Sequence, residues 1–185
     1  GFSFLGIYYL IPIVIFTVLI ISSTTIKKTI SWWKKDKIDS LSIKLIFALS
    51  ILSGIALCLW GVYFSGDIST FAKQLPNSSW HIMLLNGILF ALFNSLAEEY
   101  ISRGMLCNGL EKIFDKKAVI IAIQALVFAI FHFYGFPGGM LGVIMVFLWS
   151  IILGVIRYRT NGLFGVLIAH FFADFTIYFV IYVLK

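Results

Sequence analysis

The chain repeatedly runs for about 20 residues with little or no charge, and at 1.5 Å rise per residue such a run matches the ~30 Å hydrocarbon core of a bilayer. With 61% of 185 residues hydrophobic and 12% charged, too little polar surface exists to solvate a globule. The spacing predicts helices at 2–22, 45–64, 81–104, 118–134, 138–156 and 163–184. The expected fold is therefore all-α, a polytopic transmembrane bundle of about six spans. No linker-like Pro, Ser or Gly stretch and no internal repeat divides it, so residues 1–185 read as one membrane domain. The first run lacks a basic flank and a small-residue cleavage site, which favours a helix over a signal peptide. Residue 1 is Gly rather than Met, which is compatible with a further N-terminal helix.

A net charge of +6 does not point to nucleic acid here, because the cations sit in short connections between apolar runs. Lys27, Lys28, Lys34, Lys35, Lys37 and Lys44 flank the first connection, Arg103, Lys112, Lys116 and Lys117 the third, and Arg157 and Arg159 the fifth. With alternating spans all of these fall on one side, opposite Lys73 and Lys185, and that side is the cytoplasm by the positive-inside rule. Trp32 and Trp33 fit an interfacial aromatic belt there. Phe136-Pro137-Gly138-Gly139 and Asn161-Gly162 read as tight turns, and 65–80, with Gly66, Asp67, Pro76 and Asn77, as the main outer loop. Cys58 and Cys107 have no metal-like or disulfide spacing and read as packing residues.

Ionisable groups inside spans cost from about 2.5 kcal/mol upward, so their presence marks function or a buried pair. Glu98, Glu99 and Asp174 lie in or at the end of spans, joined by His132 and His170. The i,i+4 spacing stacks Glu99 on Arg103 in the favoured acid-first order. Glu98, about 100° away around the helix, has no evident partner on its own helix and needs one from another. His132 and His170 are available, and His170 shares a face with Asp174. A carboxylate and an imidazole in a low-dielectric pocket can hold a water and take its proton. Singly, each has a structural explanation: Glu99–Arg103 as an ion pair, either His as an interhelical hydrogen-bond donor. His81 beside Trp80 reads as interfacial, and Asn86 and Asn94 as packing groups, although Asn94 lies one turn before Glu98. Five such groups on three otherwise charge-poor helices favour function.

In order and rough spacing, Glu98-Glu99-x-x-x-Arg103, Phe128-x-x-x-His132 and His170-x-x-x-Asp174 resemble the motifs of the CPBP family, the CAAX proteases and bacteriocin-processing enzymes also called Abi proteins. The resemblance covers about residues 80–180. It implies a glutamate-dependent intramembrane endopeptidase acting on a prenylated or membrane-associated protein or on a bacterial peptide precursor. It further implies that Glu98 activates water with His132, that Glu99 and Arg103 support the site, and that His170 and Asp174 stabilise the oxyanion or position the site. The best-studied eukaryotic members carry Asn where this chain has Asp174. An ionised Asp cannot donate to an oxyanion, so Asp174 is expected to orient His170, which would then be the donor.

The expected partners are membrane lipid and a peptide or protein substrate, with no nucleic acid, cofactor or metal, and a site cavity open to the cytoplasm. The abundance of Phe, Ile and Lys suggests a bacterial genome and hence a bacterial cytoplasmic membrane. Helical rise puts Glu98 roughly 8 Å and His170 roughly 10 Å from the inner boundary but His132 roughly 21 Å, a mismatch that strong tilt or a helix starting in the cytosol would remove. Two other readings stay open. A divalent metal held by Glu98, His132, His170 and Asp174 is chemically suitable, although no His-Glu-x-x-His signature supports it. An immunity, receptor or scaffold protein that binds a peptide and cleaves nothing is the alternative from another class. A transporter is disfavoured because no inverted repeat is found.

Overall fold

A largely apolar stretch of 21 residues at the N-terminus forms the first helix, α1 (Phe2–Ser22), of a computed structural model that describes residues 2–73, 75 and 79–185. The elements that follow are α2 (Thr24–Thr29), α3 (Ser40–Tyr63), α4 (Ser65–Ala72) and α5 (Trp80–Glu99). A π-helical stretch, Tyr100–Leu106, continues α5 without a break into α6 (Cys107–Leu110). The last three are α7 (Lys117–Phe131), α8 (Gly139–Thr160) and α9 (Phe164–Leu184). Among the described residues every regular element is helical. Four helices among the described residues are long and apolar enough to cross a membrane: Ser40–Tyr63, Trp80–Leu110, Gly139–Thr160 and Phe164–Leu184. Ile13–Ser22 of α1 and Lys117–Phe131 are shorter apolar helices, so the set approximates the six spans expected. In the outer loop α4 forms, while Pro76 and Asn77 lie outside the described residues.

The boundaries depart from expectation where a charge is buried instead of solvated. Arg103 suggests an aqueous boundary in the sequence, yet it is wholly buried and paired with Glu99, so the helix runs on to Leu110. Arg157 is buried as well, and α8 continues past it to Thr160. Neither arginine is a loop cation. The remaining cations of that side, from Lys27 to Arg159, sit at helix ends and connections and keep the same asymmetry. α3 begins at Ser40, earlier than its apolar run, because Asp39 caps it: Oδ1 accepts the Ser42 amide at 2.7 Å and Oδ2 accepts Arg159 at 2.7 Å.

The connection between α2 and α3 closes this end of the bundle. The Asp36 carboxylate accepts the amides of Phe164 and Gly165 at 3.3 and 3.0 Å, supplying from far away in sequence the cap that α9 lacks locally. Lys37 N–H donates to the Thr160 carbonyl at 2.7 Å. Asn161, at φ 58°, turns the chain from α8 toward α9.

α9 packs against both α3 and α5, α7 packs against α8, and α1 lies beside α5. Between bilayer helices apolar burial offers no drive beyond what lipid gives, so close packing over small residues carries association. Gly61 of α3 lies under Val180, and Gly87 of α5 under Tyr178 and Phe175. A Cβ on Gly87 would stand 2.9 Å from the Tyr178 ring and 3.3 Å from Phe175. The outward faces, with Phe47, Leu52, Val62 and Phe131, are apolar and exposed, as lipid contact requires.

Because the α5–α9 contact carries Glu98 and His170 on its two sides, overpacking it tests both fold and site. Gly87→Val is expected to cost about 1–3 kcal/mol of stability in detergent unfolding and to lower any activity with it. Gly109→Ala, whose Cβ meets nothing within 4 Å, should stay within about 0.5 kcal/mol of wild type.

Candidate active site

At the end of α5 the side chains turn from apolar to acidic within one step of the chain. Glu99 is fully buried, and its Oε1 accepts two hydrogen bonds, from Arg103 Nη1 at 2.8 Å and from His170 Nδ1 at 2.6 Å. A carboxylate so paired can only accept, so the shared proton of the second contact belongs to Nδ1 of His170. Arg103 is held on its other side by Ser150 Oγ at 2.6 Å, and its guanidinium lies 4.3 Å above the Phe128 ring. Gln124 donates to the same Ser150 hydroxyl at 3.1 Å. The sequence pairs Glu99 with Arg103 alone. The structure adds His170 of α9 as a second partner, on the carboxylate that the ion pair has already fixed.

Glu98, one residue earlier, approaches the other edge of that imidazole. Its Oε2 stands 3.5 Å from His170 Nε2 and 3.6 Å from His132 Nε2, and forms no hydrogen bond. Its Oε1 accepts from Asn94 Nδ2 at 3.1 Å, so Glu98 does have a partner on its own helix, one turn back. The same Asn94 amide donates to Asp174 Oδ2 at 3.2 Å, spacing two carboxylates that would otherwise repel. Asp174 Oδ1 lies 3.6 Å from His170 Nε2, so Glu99, not Asp174, makes the short contact that fixes the ring.

His132 closes α7 as its C-cap, and its Nδ1 lies 2.8 Å from the Phe128 carbonyl. A carbonyl accepts only, so Nδ1 carries the hydrogen, and in the neutral ring the lone pair of Nε2 points toward Glu98. Phe128 packs on His132 at 4.4 Å between centroids, and Trp149 meets the His170 ring edge-on at 4.9 Å. These aromatic faces leave each imidazole little freedom to rotate. Glu98 and His132 keep 29% and 22% of their side-chain surface exposed, against 3% for His170 and 6% for Asp174. Glu98 and His132 are thus the partly exposed members of the cluster and His170 and Asp174 its buried backing, although Glu98 Oε2 itself is buried.

All four expected site residues and both supporting ones converge in one cluster. With the helix ending at Leu110, Glu98 lies about 18 Å from that end and His132 about 22 Å from Lys117, while His170 lies about 9 Å from the start of α9, so distance along a helix does not measure position in the bundle and the three meet although the helices start at different levels. Asn94, Ser150 and Gln124 join the cluster through contacts that form only on packing. Only Asn94 had a signal, its i,i+4 position before Glu98; the other two are ordinary polar residues until the helices are packed. His81 stacks on Trp80 at the start of α5, outside the cluster. Among the described residues no group of three or more His, Cys, Asp or Glu is placed to hold a metal ion.

Comparison with known proteins adds one finding. The sequence model of the family described as type II CAAX prenyl endopeptidase Rce1-like matches residues 79–176, just over half of the 185. The match begins at α5 and ends two residues after Asp174, so it spans the whole cluster. No curated protein and no solved structure matches the chain.

The two glutamates should separate by experiment. Glu99→Ala strands a buried guanidinium and is expected to cost about 3–5 kcal/mol in reversible unfolding. Glu98→Gln keeps shape and leaves no buried cation unpaired, and should change stability by no more than about 1 kcal/mol.

Proposed function

This chain belongs to the type II CAAX prenyl endopeptidase Rce1-like family, and we propose that it hydrolyses a peptide bond inside the membrane with a water activated by Glu98 and His132. The observation that carries this is the unpaired Glu98 Oε2, an acceptor facing two imidazole nitrogens on different helices at 3.5 and 3.6 Å. A water at that position donates one hydrogen to Glu98 Oε2 and one to His132 Nε2, and its oxygen lone pair is left to attack a carbonyl carbon. The new C–O bond forms as Glu98 takes the proton. The oxyanion receives a hydrogen bond from Nε2–H of His170, whose Nδ1–H is already committed to Glu99. When the C–N bond breaks, Glu98 returns the proton to the leaving amine, and the carboxylate is restored.

Asn94 fixes the Oε1 side of Glu98 so that Oε2 remains turned to the imidazoles, and the same amide holds Asp174 beside His170 Nε2 at 3.6 Å without a hydrogen bond to the ring. The substrate is a membrane-associated peptide or protein, of the prenylated kind named in the family description or a bacterial peptide precursor. It enters on the side bearing Glu98 and His132, the more exposed pair. In this reading the cavity opens toward the cytoplasm of a bacterial cell membrane, an orientation supported by the lysine-rich connections through the positive-inside rule.

Cleavage of a farnesylated reporter peptide and peptidomics of membranes from producing cells test the assignment together. Glu98→Gln and His132→Asn are each expected to lower kcat by about 10²–10⁴-fold while the protein elutes as wild type. Full cleavage by a folded Glu98→Gln protein would sink the proposed chemistry and favour a peptide-binding role.

A further inference from the structure

A second buried arginine lies behind the site and is not used by the chemistry above. Arg157 of α8 is 1% exposed, and its guanidinium joins three parts of the chain that are far apart in sequence. Nε donates to the backbone carbonyl of Arg103 at 3.2 Å, and Nη2 donates to Ser31 Oγ at 3.0 Å and lies 3.8 Å from Glu111 Oε1. Arg103 O belongs to the π-helical stretch, where the wider turn departs from regular α-helical bonding. Ser31 is itself tied down, since its amide donates to Asn108 Oδ1 at 2.9 Å. The next residue, Trp32, lies against Gly104, where a Cβ would stand 3.0 Å from the indole, and meets the Tyr100 ring edge-on at 4.9 Å.

We propose that Arg157 is a positioning residue for catalysis, and that with Ser31 of the α2–α3 connection it sets the register of the helix segment that presents Glu99 to His170. The proposal rests on the glutamate-dependent hydrolysis argued above. Its physical chain is short. Arg157 fixes the Arg103 backbone, the Arg103 side chain fixes Glu99 Oε1, and that oxygen holds Nδ1 of His170, whose Nε2 faces Glu98. Two adjacent donors of one planar guanidinium make the two contacts. A lysine ammonium carries the same charge at a single point and cannot reproduce that fork. A cation buried this deeply, with one carboxylate at 3.8 Å, is costly for stability alone, so its use lies in the geometry it imposes.

Steady-state cleavage of the farnesylated reporter by full-length protein in liposomes, with Arg157→Lys, Ser31→Ala, the double variant and Glu98→Gln side by side, tests this. Arg157→Lys is expected to lower kcat roughly ten- to hundredfold per folded molecule, because displacement at a reacting centre is felt in the rate. KM should stay within about twofold, since neither residue lies at the exposed entrance. Ser31→Ala should lower kcat about two- to tenfold, and the double variant should be no slower than Arg157→Lys, as residues acting through one contact are not additive. Wild-type kcat in folded Arg157→Lys overturns the proposal, as do additive losses or kcat and KM moving together, which mark general loosening. If Arg157→Lys does not fold, Ser31→Ala decides alone, and an unchanged kcat there overturns it. Full activity of Glu98→Gln instead defeats the water-activation reading, independently of what Arg157 does to kcat.

Discussion

In a low-dielectric bundle a buried carboxylate persists only where its charge is met at hydrogen-bond distance, and Glu99 is met twice at one oxygen. Arg103 meets it from the same helix and His170 from α9. The first contact neutralises the charge; the second turns the neutralised pair into a clamp between α5 and α9. The rest of the site depends on this clamp, because a His170 ring fixed at Nδ1 must present Nε2 in one direction, toward Glu98 and Asp174. Ser150 and Phe128 then hold the guanidinium from α8 and α7, so every helix that lines the cluster touches either the clamp or a group fixed by it.

The clamp also explains the shape of the long third span. A helix that buries an arginine has no reason to end there, and Trp80–Leu110 runs on through the π-helical stretch. The extension adds Asn108 beyond Gly104, and the lysine-rich connection settles on these two through Ser31 and Trp32. The polar cluster is thus packed by aromatic side chains on its flanks and covered at the lysine-rich end of the bundle by a hydrogen-bonded connection.

The different pairing of the two adjacent glutamates was partly legible. The i,i+4 rule hands Glu99 to Arg103 with no knowledge of the fold. The same rule hid the fact that Glu98 and Glu99, pointing about 100° apart, both reach one imidazole, because convergence at the tips of long side chains depends on the group wedged between them. The ends next to Arg103 and Arg157 lie further on than the sequence suggests, since a charge signals water in a linear reading and a buried partner is invisible there, and α3 starts earlier because the Asp39 cap lies outside its apolar run. Asn94 had the right spacing but no charge to draw attention, and Ser150 and Gln124 had neither.

By itself the sequence determined that the chain is helical and lies in a membrane, because apolar run length and charge placement are local properties set by bilayer thickness. It also determined which side chains are out of place in lipid, since the cost of an ionisable group there does not depend on fold. Only the tertiary structure decided which imidazole meets which carboxylate. That choice rests on how far each helix extends and how closely α5 approaches α9 over Gly87, and both follow from contacts between residues far apart in sequence.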